Sequence, residues 1–249
     1  MLAEQRYARI CALVSERGTV TVLELAHELG ISESTVRRDL EKLDAAHKLT
    51  KVHGGATTRE DAHVIRDLTI SERDGLHADD KRRLARAAAA LVEPDDFVYI
   101  DAGSTTRELI ACLEERGATY VTDSVPHAQA LAVRGFSTIS IGGAVKAATG
   151  AAVGPDAVEA LERYHFTLGF WGANGIDLDR GLTTPDREEA QVKHLSIGQT
   201  VRARRFVLAD PSKFGRVAPV RFASLDDVRV LTTAVPAGYE GVAGIELIE

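Results

Sequence analysis

The sequence predicts an α/β protein with two parts: a small helical domain that ends in a strand hairpin, and a larger domain built on a mostly parallel sheet. Two helical patterns separated by a glycine occupy residues 22–43, and an alternating stretch followed by two glycines comes next. From residue 97 onward, short apolar runs alternate with helical segments, which is typical of parallel strands covered by helices. The expected boundaries are 1–57 for the first domain, 58–80 for a linker and 81–249 for the second domain.

The two N-terminal helices have the features of a helix-turn-helix. Apolar residues recur at helical spacing from Val22 to Leu29, and Gly30 can adopt the positive φ of a tight turn. Ser32 is a suitable N-cap for the second helix. The apolar residues that share one face of that helix, and are expected to pack on the first, are Val36, Leu40 and Leu43.

The opposite face of the second helix carries the residues expected to meet DNA. Short hydroxyls near a helix N-terminus, followed by paired arginines, suit phosphate and guanine contacts in a major groove. The alternative is a solvated charged face, but the turn, the cap, the apolar stripe and the arginines all favour DNA binding. Residues 49–53 then alternate before Gly54-Gly55, which predicts a wing, although Lys51 alone is equally compatible with a solvated side chain. The predicted DNA contacts are Ser32, Ser34, Thr35, Arg37, Arg38, Lys51 and His53.

Charge is unevenly distributed along the chain. The 249 residues carry a formal net charge of −7, yet residues 1–56 contain eight basic and eight acidic side chains. All of the net negative charge therefore lies in the second part. We expect a local DNA-binding face on an otherwise acidic molecule, with modest, salt-sensitive non-specific affinity.

Targeting and metal-binding signals are not evident in the sequence. No apolar run is long enough to span a bilayer, and the N-terminus lacks the pattern of an export signal. Cys11 and Cys112 lie far apart without ligand-like neighbours, as expected for reduced thiols. We expect a cytoplasmic protein without a membrane partner, a metal or a cofactor.

The second domain is expected to begin with an alanine-rich helix from Lys81 to Leu91, with the basic run 81–83 at its solvated end. Strands and helices then alternate. The predicted strands are 97–100, 120–122, 138–141, 166–171, 206–208 and 228–231, and the predicted helices are 105–115, 126–133 and 188–202.

Polar loops follow several of these strands. In open parallel sheets, ligands bind at the carboxyl ends of the strands. The loop 101–106 combines a glycine, hydroxyls and a helix N-terminus, which together favour an anion. An N-capped helix start is an equally good explanation of that loop alone, but similar loops at successive strand ends favour one shared pocket. The candidate ligand-binding residues are Asp101, Gly103, Ser104, Thr105, Thr106, Asp123, Gly143, Asn174, Asp177, Glu188 and Lys213.

Nearly the whole chain resembles the DeoR family of bacterial transcriptional regulators. The matching motifs are SESTVRRDL and VHGGA in the first domain, and DAGSTT, IGGAV, GANGID, GLTTPDREEAQVK and ADPSKFG in the second. The resemblance implies a second domain similar to sugar-phosphate isomerases of the ribose-5-phosphate isomerase type. It also implies a repressor of carbohydrate-metabolism genes that is released from a double-stranded DNA operator by a phosphorylated sugar. A homodimer or homotetramer is expected.

By residue, the resemblance assigns a phosphate loop to Ser104, Thr105 and Thr106. Asp123 stands where asparagine is expected, and a carboxylate there would repel an anionic ligand unless it bonds sugar hydroxyls. The remaining polar pocket positions are Asp101, Asn174, Asp177, Glu188 and Lys213.

Two other functions are compatible with parts of the sequence. The pocket carboxylates and lysines could transfer protons in a sugar-phosphate isomerase or deaminase with an appended DNA-binding head. The matched pocket loops contain no histidine, and the fused DNA-binding head favours a regulator. A non-specific architectural DNA binder fits poorly with an N-terminal region that has no net charge.

Overall fold

The computed structural model describes residues 3–46, 48–52, 54–57 and 75–248. His53, one of the predicted DNA contacts, and most of the predicted linker lie outside these residues. No helix in the described ranges is both long and apolar enough to cross a membrane.

The N-terminal domain is a winged helix-turn-helix, as the sequence predicts. Its three strands form an antiparallel sheet in the order β1-β3-β2, so the hairpin is joined by a strand that sequence patterning missed. The elements are α1 (Ala3–Arg17), β1 (Thr19–Thr21), α2 (Val22–Leu29), α3 (Glu33–Ala45), β2 (Thr50–Val52) and β3 (Gly55–Thr57).

Local capping explains where these helices begin and end. Thr21 and Glu24 form a reciprocal capping box at the start of α2, and Gly30 ends that helix at φ 64°. The Ser32 side chain accepts a hydrogen bond from the Thr35 amide and caps α3. The predicted apolar face of α3 packs into a core that also contains Ile10, Leu25 and Leu49.

The second domain is built on a seven-stranded, all-parallel sheet in the order β15-β14-β12-β9-β4-β5-β6. Its strands are β4 (Phe97–Ile100), β5 (Thr119–Thr122), β6 (Ser137–Ser140), β9 (Leu168–Gly172), β12 (Arg205–Leu208), β14 (Arg229–Thr232) and β15 (Ile245–Leu247). Its helices are α4 (Ala78–Ala89), α5 (Ser104–Cys112), α6 (Val125–Val133), α7 (Pro155–Glu162) and α8 (Arg187–Gly198). Helix α4 thus begins three residues before the predicted Lys81, inside the stretch assigned to the linker.

Additional antiparallel strands were not anticipated from the sequence. A hairpin forms from β7 (Ala144–Val145) and β8 (Ala152–Val153), and a small sheet forms from β10 (Gly175–Asp177), β11 (Gly181–Thr184) and β13 (Val220–Ala223). Strand β10 follows β9 almost directly, so the chain reverses where the sequence suggested a ligand loop. Because β4, β9 and β12 are neighbours, their carboxyl ends meet at one edge, where the candidate site lies.

Aromatic packing within the sheet requires a glycine at one position. The fully buried Trp171 stacks on Tyr99 and donates its indole N–H to Ser196 over 2.9 Å. A Cβ added at Gly169 would lie 2.1 Å from the Trp171 ring. The ring therefore occupies the space that any side chain at position 169 would need.

We predict that Gly169→Ala destabilises the protein by about 1–3 kcal/mol, because overpacking forces the buried indole out of its place. Thermal unfolding measures the loss. Gly198→Ala is the matched control, since no atom lies within 4 Å of the added Cβ. Equal melting temperatures for the two variants would contradict this packing.

Candidate functional site

The exposed face of α3 presents the predicted hydroxyls and arginines together. Ser34, Arg37 and Arg38 are exposed and Thr35 is half-buried. The Ser32 hydroxyl lies 3.0 Å from that of Ser34 and 2.9 Å from that of Thr35. The hydroxyls thus form one connected cluster at the helix N-terminus, where the partial positive charge of the helix attracts phosphate.

The two arginines differ in their surroundings. Arg37 donates to Glu33 one turn earlier over 3.1 Å, so it must exchange this partner to bind DNA. Arg38 makes no hydrogen bond or close ion pair with any residue that the structure describes. Its guanidinium is therefore the more readily available of the two.

A partly buried ion pair fixes the position of α3. Arg6 on α1 donates from two nitrogens to Asp39, which is almost fully buried on α3. The hydrogen bonds to Asp39 raise the pKa of Arg6. Asp39 follows Arg38 directly, so this bidentate pair sets the rotation of α3 and the direction in which its arginines point.

Lys51 of the wing contacts α3. Its ammonium donates to Glu41 over 2.9 Å and its amide donates to Asp44 over 3.2 Å. The hydrogen bond from Lys51 lowers the pKa of Glu41. Lys51 therefore holds the wing against α3 in this structure, and contact with a phosphate would require it to leave Glu41.

A cavity of about 290 Å³ opens at the carboxyl ends of β4, β9 and β12. Five of the predicted ligand residues line it: Gly103, Ser104, Thr105, Asn174 and Lys213. The other lining residues were not among the predicted site residues: Leu76, His77, Lys81, Ala102, Thr149, Gly172, Ala173, Glu189, Lys193, Asp210, Ser212 and Arg216. Basic side chains thus face the cavity from several elements.

The N-terminus of α5 forms one wall of this cavity. Gly103 is the N-cap and provides no side-chain hydrogen bond to the first turn. Ser104 and Thr105 are more than nine-tenths buried and line the cavity, and their hydroxyls bond to no residue in the described part of the chain. Thr106 is turned inward instead and donates to the Gly103 carbonyl over 3.1 Å.

Lys81 corrects the expectation of a solvated basic run. It is only 4% exposed and faces the cavity from α4, whereas Arg82 and Arg83 are exposed. The spacing of Lys81 from Leu84, Ala85 and Ala88 places it on the buried stripe of α4. This helical spacing was the feature of the sequence that could have predicted the burial of Lys81.

A buried ion pair forms the floor beneath the cavity. The Lys193 ammonium contacts the Asp101 carboxylate and donates to the Gly172 carbonyl over 3.3 Å. Asp101 also accepts the Gly172 amide over 3.0 Å. Burial lowers the pKa of Lys193, but the attraction of Asp101 outweighs it and the pKa is raised overall.

Asp123 lies among buried groups rather than on the cavity wall. It is 2% exposed, and burial, together with the nearby Asp101 charge, raises its pKa well above the usual value. Burial likewise raises the pKa of Tyr99 and lowers that of His127 to about 4. A raised pKa shifts Asp123 toward its neutral form, which weakens the repulsion expected between a carboxylate and an anionic ligand.

Besides Asp101, Thr106 and Asp123, three more of the predicted ligand residues do not line the cavity. Gly143 packs against the Val153 carbonyl, and Asp177 accepts the amides of Asp179 and Arg180 in the turn after β10. Glu188 is exposed at the start of α8, one residue before the cavity-lining Glu189. The lining of this cavity therefore does not include these three residues.

Glu189 is held by the hairpin of β7 and β8. The Thr149 hydroxyl donates to it over 2.7 Å, and Lys146 lies 3.9 Å away while contacting Asp186 more closely. This hairpin closes one side of the cavity. Across the described ranges, no group of histidine, cysteine and acidic residues is arranged to hold a metal ion.

A helix-turn-helix with an exposed basic face, joined to an α/β domain with a cavity rich in cations, defines a DNA-binding regulator with a sensor domain. Two family models agree with this division. The DeoR-like helix-turn-helix domain matches residues 6–62, and the DeoR C terminal sensor domain matches residues 76–234. The chain belongs to the DeoR family of transcriptional regulators.

Relatives extend along almost the entire chain. The HTH-type transcriptional regulator FruR of Bacillus subtilis is 38% identical, covering 94% of this chain and 92% of the relative. The regulator GlpR of Haloferax volcanii is 35% identical, covering 94% and 90%. The lactose phosphotransferase system repressor of Streptococcus mutans is 28% identical, covering 94% and 92%.

Solved structures overlap more weakly. Ribose 5-phosphate isomerase A from Methanocaldococcus jannaschii matches with a TM-score of 0.41 and 18% identity, covering 55% of this chain and 54% of that chain. The sorbitol operon regulator SorC from Klebsiella pneumoniae matches with a TM-score of 0.37 and 13% identity, covering 83% and 89%. Similarity at this level says nothing about function.

We predict that Asp123→Asn raises the melting temperature at pH 8 and that this gain shrinks toward pH 4. Burial raises the pKa of Asp123 in the folded protein well above the 3.8 of an ordinary aspartate, so the unfolded chain releases this proton at a lower pH than the folded protein does. Stability is therefore lost as the pH rises above that value, and asparagine removes the loss. Thermal unfolding across this pH range checks the prediction. The exposed Asp179→Asn is the control, and a gain independent of pH would contradict it.

Proposed function

We propose that the protein is a repressor that binds a double-stranded DNA operator through α3 and the wing and leaves it when a phosphorylated sugar fills the cavity. The observation that carries this proposal is the cavity itself: an open helix N-terminus and several cations face it, in a chain whose other domain presents an exposed basic helix. We propose a homodimer or homotetramer, because two winged helices would then meet two half-sites about one or more helical turns apart.

The proposed DNA contacts divide the work between two kinds of groups. Arg37 and Arg38 would reach base edges or phosphates, and the hydroxyls of Ser32, Ser34 and Thr35 would position α3 on the backbone. Lys51 and His53 are proposed to contact phosphates from the wing. The neutral charge balance of the first domain keeps non-specific binding modest.

The proposed ligand lies across the strand ends. Its phosphate would accept hydrogen bonds from the first turn of α5 and from Ser104 and Thr105, with Lys81 supplying positive charge. Asn174 faces the same cavity and could bond sugar hydroxyls, and Lys213 faces it from the segment after β12. The Streptococcus mutans relative, a lactose phosphotransferase system repressor by name, supports a sugar-linked role.

Enzymatic turnover is the second candidate function. The cavity joins a buried lysine–carboxylate pair, Lys193 and Asp101, to Glu189, and such groups can move protons between carbons. We propose that these groups hold ligand rather than transform it. Turnover of a sugar phosphate at ordinary enzymatic rates would overturn this choice.

The deciding experiment is thermal unfolding with glucose 6-phosphate, fructose 1-phosphate, fructose 6-phosphate, ribose 5-phosphate, glycerol 3-phosphate and their unphosphorylated counterparts. A ligand that binds only the folded state raises the melting temperature. We expect a shift with a phosphorylated compound alone, followed by loss of operator binding when it is added. No shift with any compound would contradict the effector role and leave the DNA-binding role standing.

We predict that Arg38→Ala and Arg37→Ala each weaken operator binding by about 1–3 kcal/mol, because each removes a charged contact in the groove. Binding to a duplex selected from a random pool by the unaltered protein measures the loss. Arg163→Ala, which removes an exposed arginine from the second domain, is the control. Wild-type affinity in either variant removes that arginine from DNA recognition.

We predict that Thr105→Ala leaves operator affinity intact and shifts the effector dose-response to higher concentration. The hydroxyl is buried at the proposed phosphate position, so its loss removes one hydrogen bond to the ligand, at a cost of about 1–3 kcal/mol. Thr138→Ala is the control, since Thr138 does not line the cavity. An unchanged dose-response would place the phosphate elsewhere.

A further inference from the structure

One segment of the second domain has two functional faces. Residues 210–216 follow β12, and four of them line the effector cavity. The same segment also borders a cleft of about 400 Å³ against the wing and β1 of the DNA-binding domain. Ser212 and Arg216 line both spaces. If this segment moves at the cavity, the surface that it presents to the wing therefore moves as well.

Arg216 is the cation that this segment can offer to a ligand. Arg216 lines the cavity, and its guanidinium makes no hydrogen bond or ion pair with residues in the described ranges of the chain. An arginine left without a partner in a concave site is a ready contact for phosphate or carboxylate. The sequence patterns did not single it out.

The segment meets the wing at Gly215, and the neighbouring loop meets it at Ala237. Gly215 has φ +73°, and a Cβ added there would lie 3.2 Å from the Val52 Cβ on strand β2. Gly54, at the turn end of the same hairpin, has φ +79°, and a Cβ there would lie 2.2 Å from the Ala237 carbonyl oxygen. The Gly54 carbonyl in turn accepts the Val22 amide over 2.7 Å, which ties the hairpin to the start of α2.

The far end of the segment is held firmly. The Gly215 amide lies 2.8 Å from the Ile176 carbonyl and 3.0 Å from the Tyr239 hydroxyl, and Phe214 packs edge-on against the Tyr239 ring. Close-packed contacts of this kind transmit displacement rather than absorb it. The segment thus behaves as a short rigid piece between the cavity and the wing.

We propose that residues 210–216 are the element that couples the cavity to the DNA-binding domain, with Arg216 as the residue that binds an anionic group of the ligand. This inference rests on the proposed function. The ligand ties Arg216 to the N-terminus of α5 and so fixes the segment against Val52. Gly215 donates to Tyr239, so the same arrangement also holds the loop whose Ala237 lies against Gly54. In that arrangement the turn end of the wing lies against Ala237 and is not free to enter a DNA groove. The docked wing is therefore the released state.

The test compares operator affinity with and without whichever phosphorylated compound of the panel above shifts unfolding of the wild-type protein. The wild-type ratio is expected to be about 5–150-fold. Ala237→Gln adds bulk where the second domain contacts Gly54 of the wing. Val52→Ala instead truncates the wing side chain that faces Gly215. Both variants should still show a ligand-induced thermal shift and bind the operator without ligand, but the ratio should fall to within about twofold of one.

Controls separate this coupling from general damage. Ala234→Gln places the same bulk on an exposed part of the same loop, and Arg221→Gln removes an arginine that does not line the cavity. Both should keep the wild-type ratio. Arg216→Gln should weaken ligand binding and operator release in parallel, which distinguishes a ligand contact from a wing contact.

Three results obtained with the variants would overturn the inference. A wild-type ratio in both Ala237→Gln and Val52→Ala excludes the wing contact as the coupling path. Loss of ligand-free operator binding in these folded variants makes the docked wing the DNA-binding state. Unchanged ligand affinity in Arg216→Gln removes its assigned role. No shift of the wild-type protein with any panel compound instead overturns the proposed effector function, and this inference with it, before any variant is made.

Discussion

The ion pair between Lys193 and Asp101 is the contact on which the cavity depends. It joins three elements from distant parts of the chain, because Asp101 follows β4, Lys193 lies on α8, and both side chains bond the backbone of Gly172 at the end of β9. Removing one partner of such a buried pair typically costs about 3–5 kcal/mol, since the other charge is left without compensation. Helix α5 begins three residues after Asp101, so the same contact also fixes the direction of its N-terminus.

This pair also determines the charge that a ligand meets. The Lys193 charge is compensated from below by Asp101, and Arg216 adds a positive charge on the cavity wall. Among the described residues no second cation pairs with Asp123 so closely, and burial raises the pKa of its carboxyl well above the usual value. An acidic domain can thus present a cavity that attracts anions, because local arrangement and not net charge sets the field there.

The sequence predicted the edge of the sheet at which the cavity lies better than it predicted the residues that line this cavity. Ser104 and Asn174, which come directly after parallel strands, line the cavity as expected, because strand polarity alone puts such residues at one edge of the sheet. Glu188 rather than Glu189 was predicted to bind the ligand, although only Glu189 lines the cavity. Consecutive side chains on a helix point about 100° apart, and the sequence did not reveal which face of this helix is buried. Asp177 does not line the cavity, because after β9 the chain forms the antiparallel hairpin of β10 and β11. Arg216 lies in an irregular segment, where no periodicity reports the direction of a side chain.

The contact between wing and second domain follows from a similar constraint on side chains. A flexible side chain between the domains would absorb a small displacement by changing rotamer. The backbone of Gly54 against the Ala237 carbonyl, and the backbone of Gly215 against the stiff, β-branched Val52, have little freedom to do so. Gly54 and Gly215 permit this close approach, and each also adopts a positive φ that other residues disfavour. The glycines of the motifs HGGA and ADPSKFG therefore do more than form turns. They let the two domains approach so closely that a displacement at the cavity also displaces the wing.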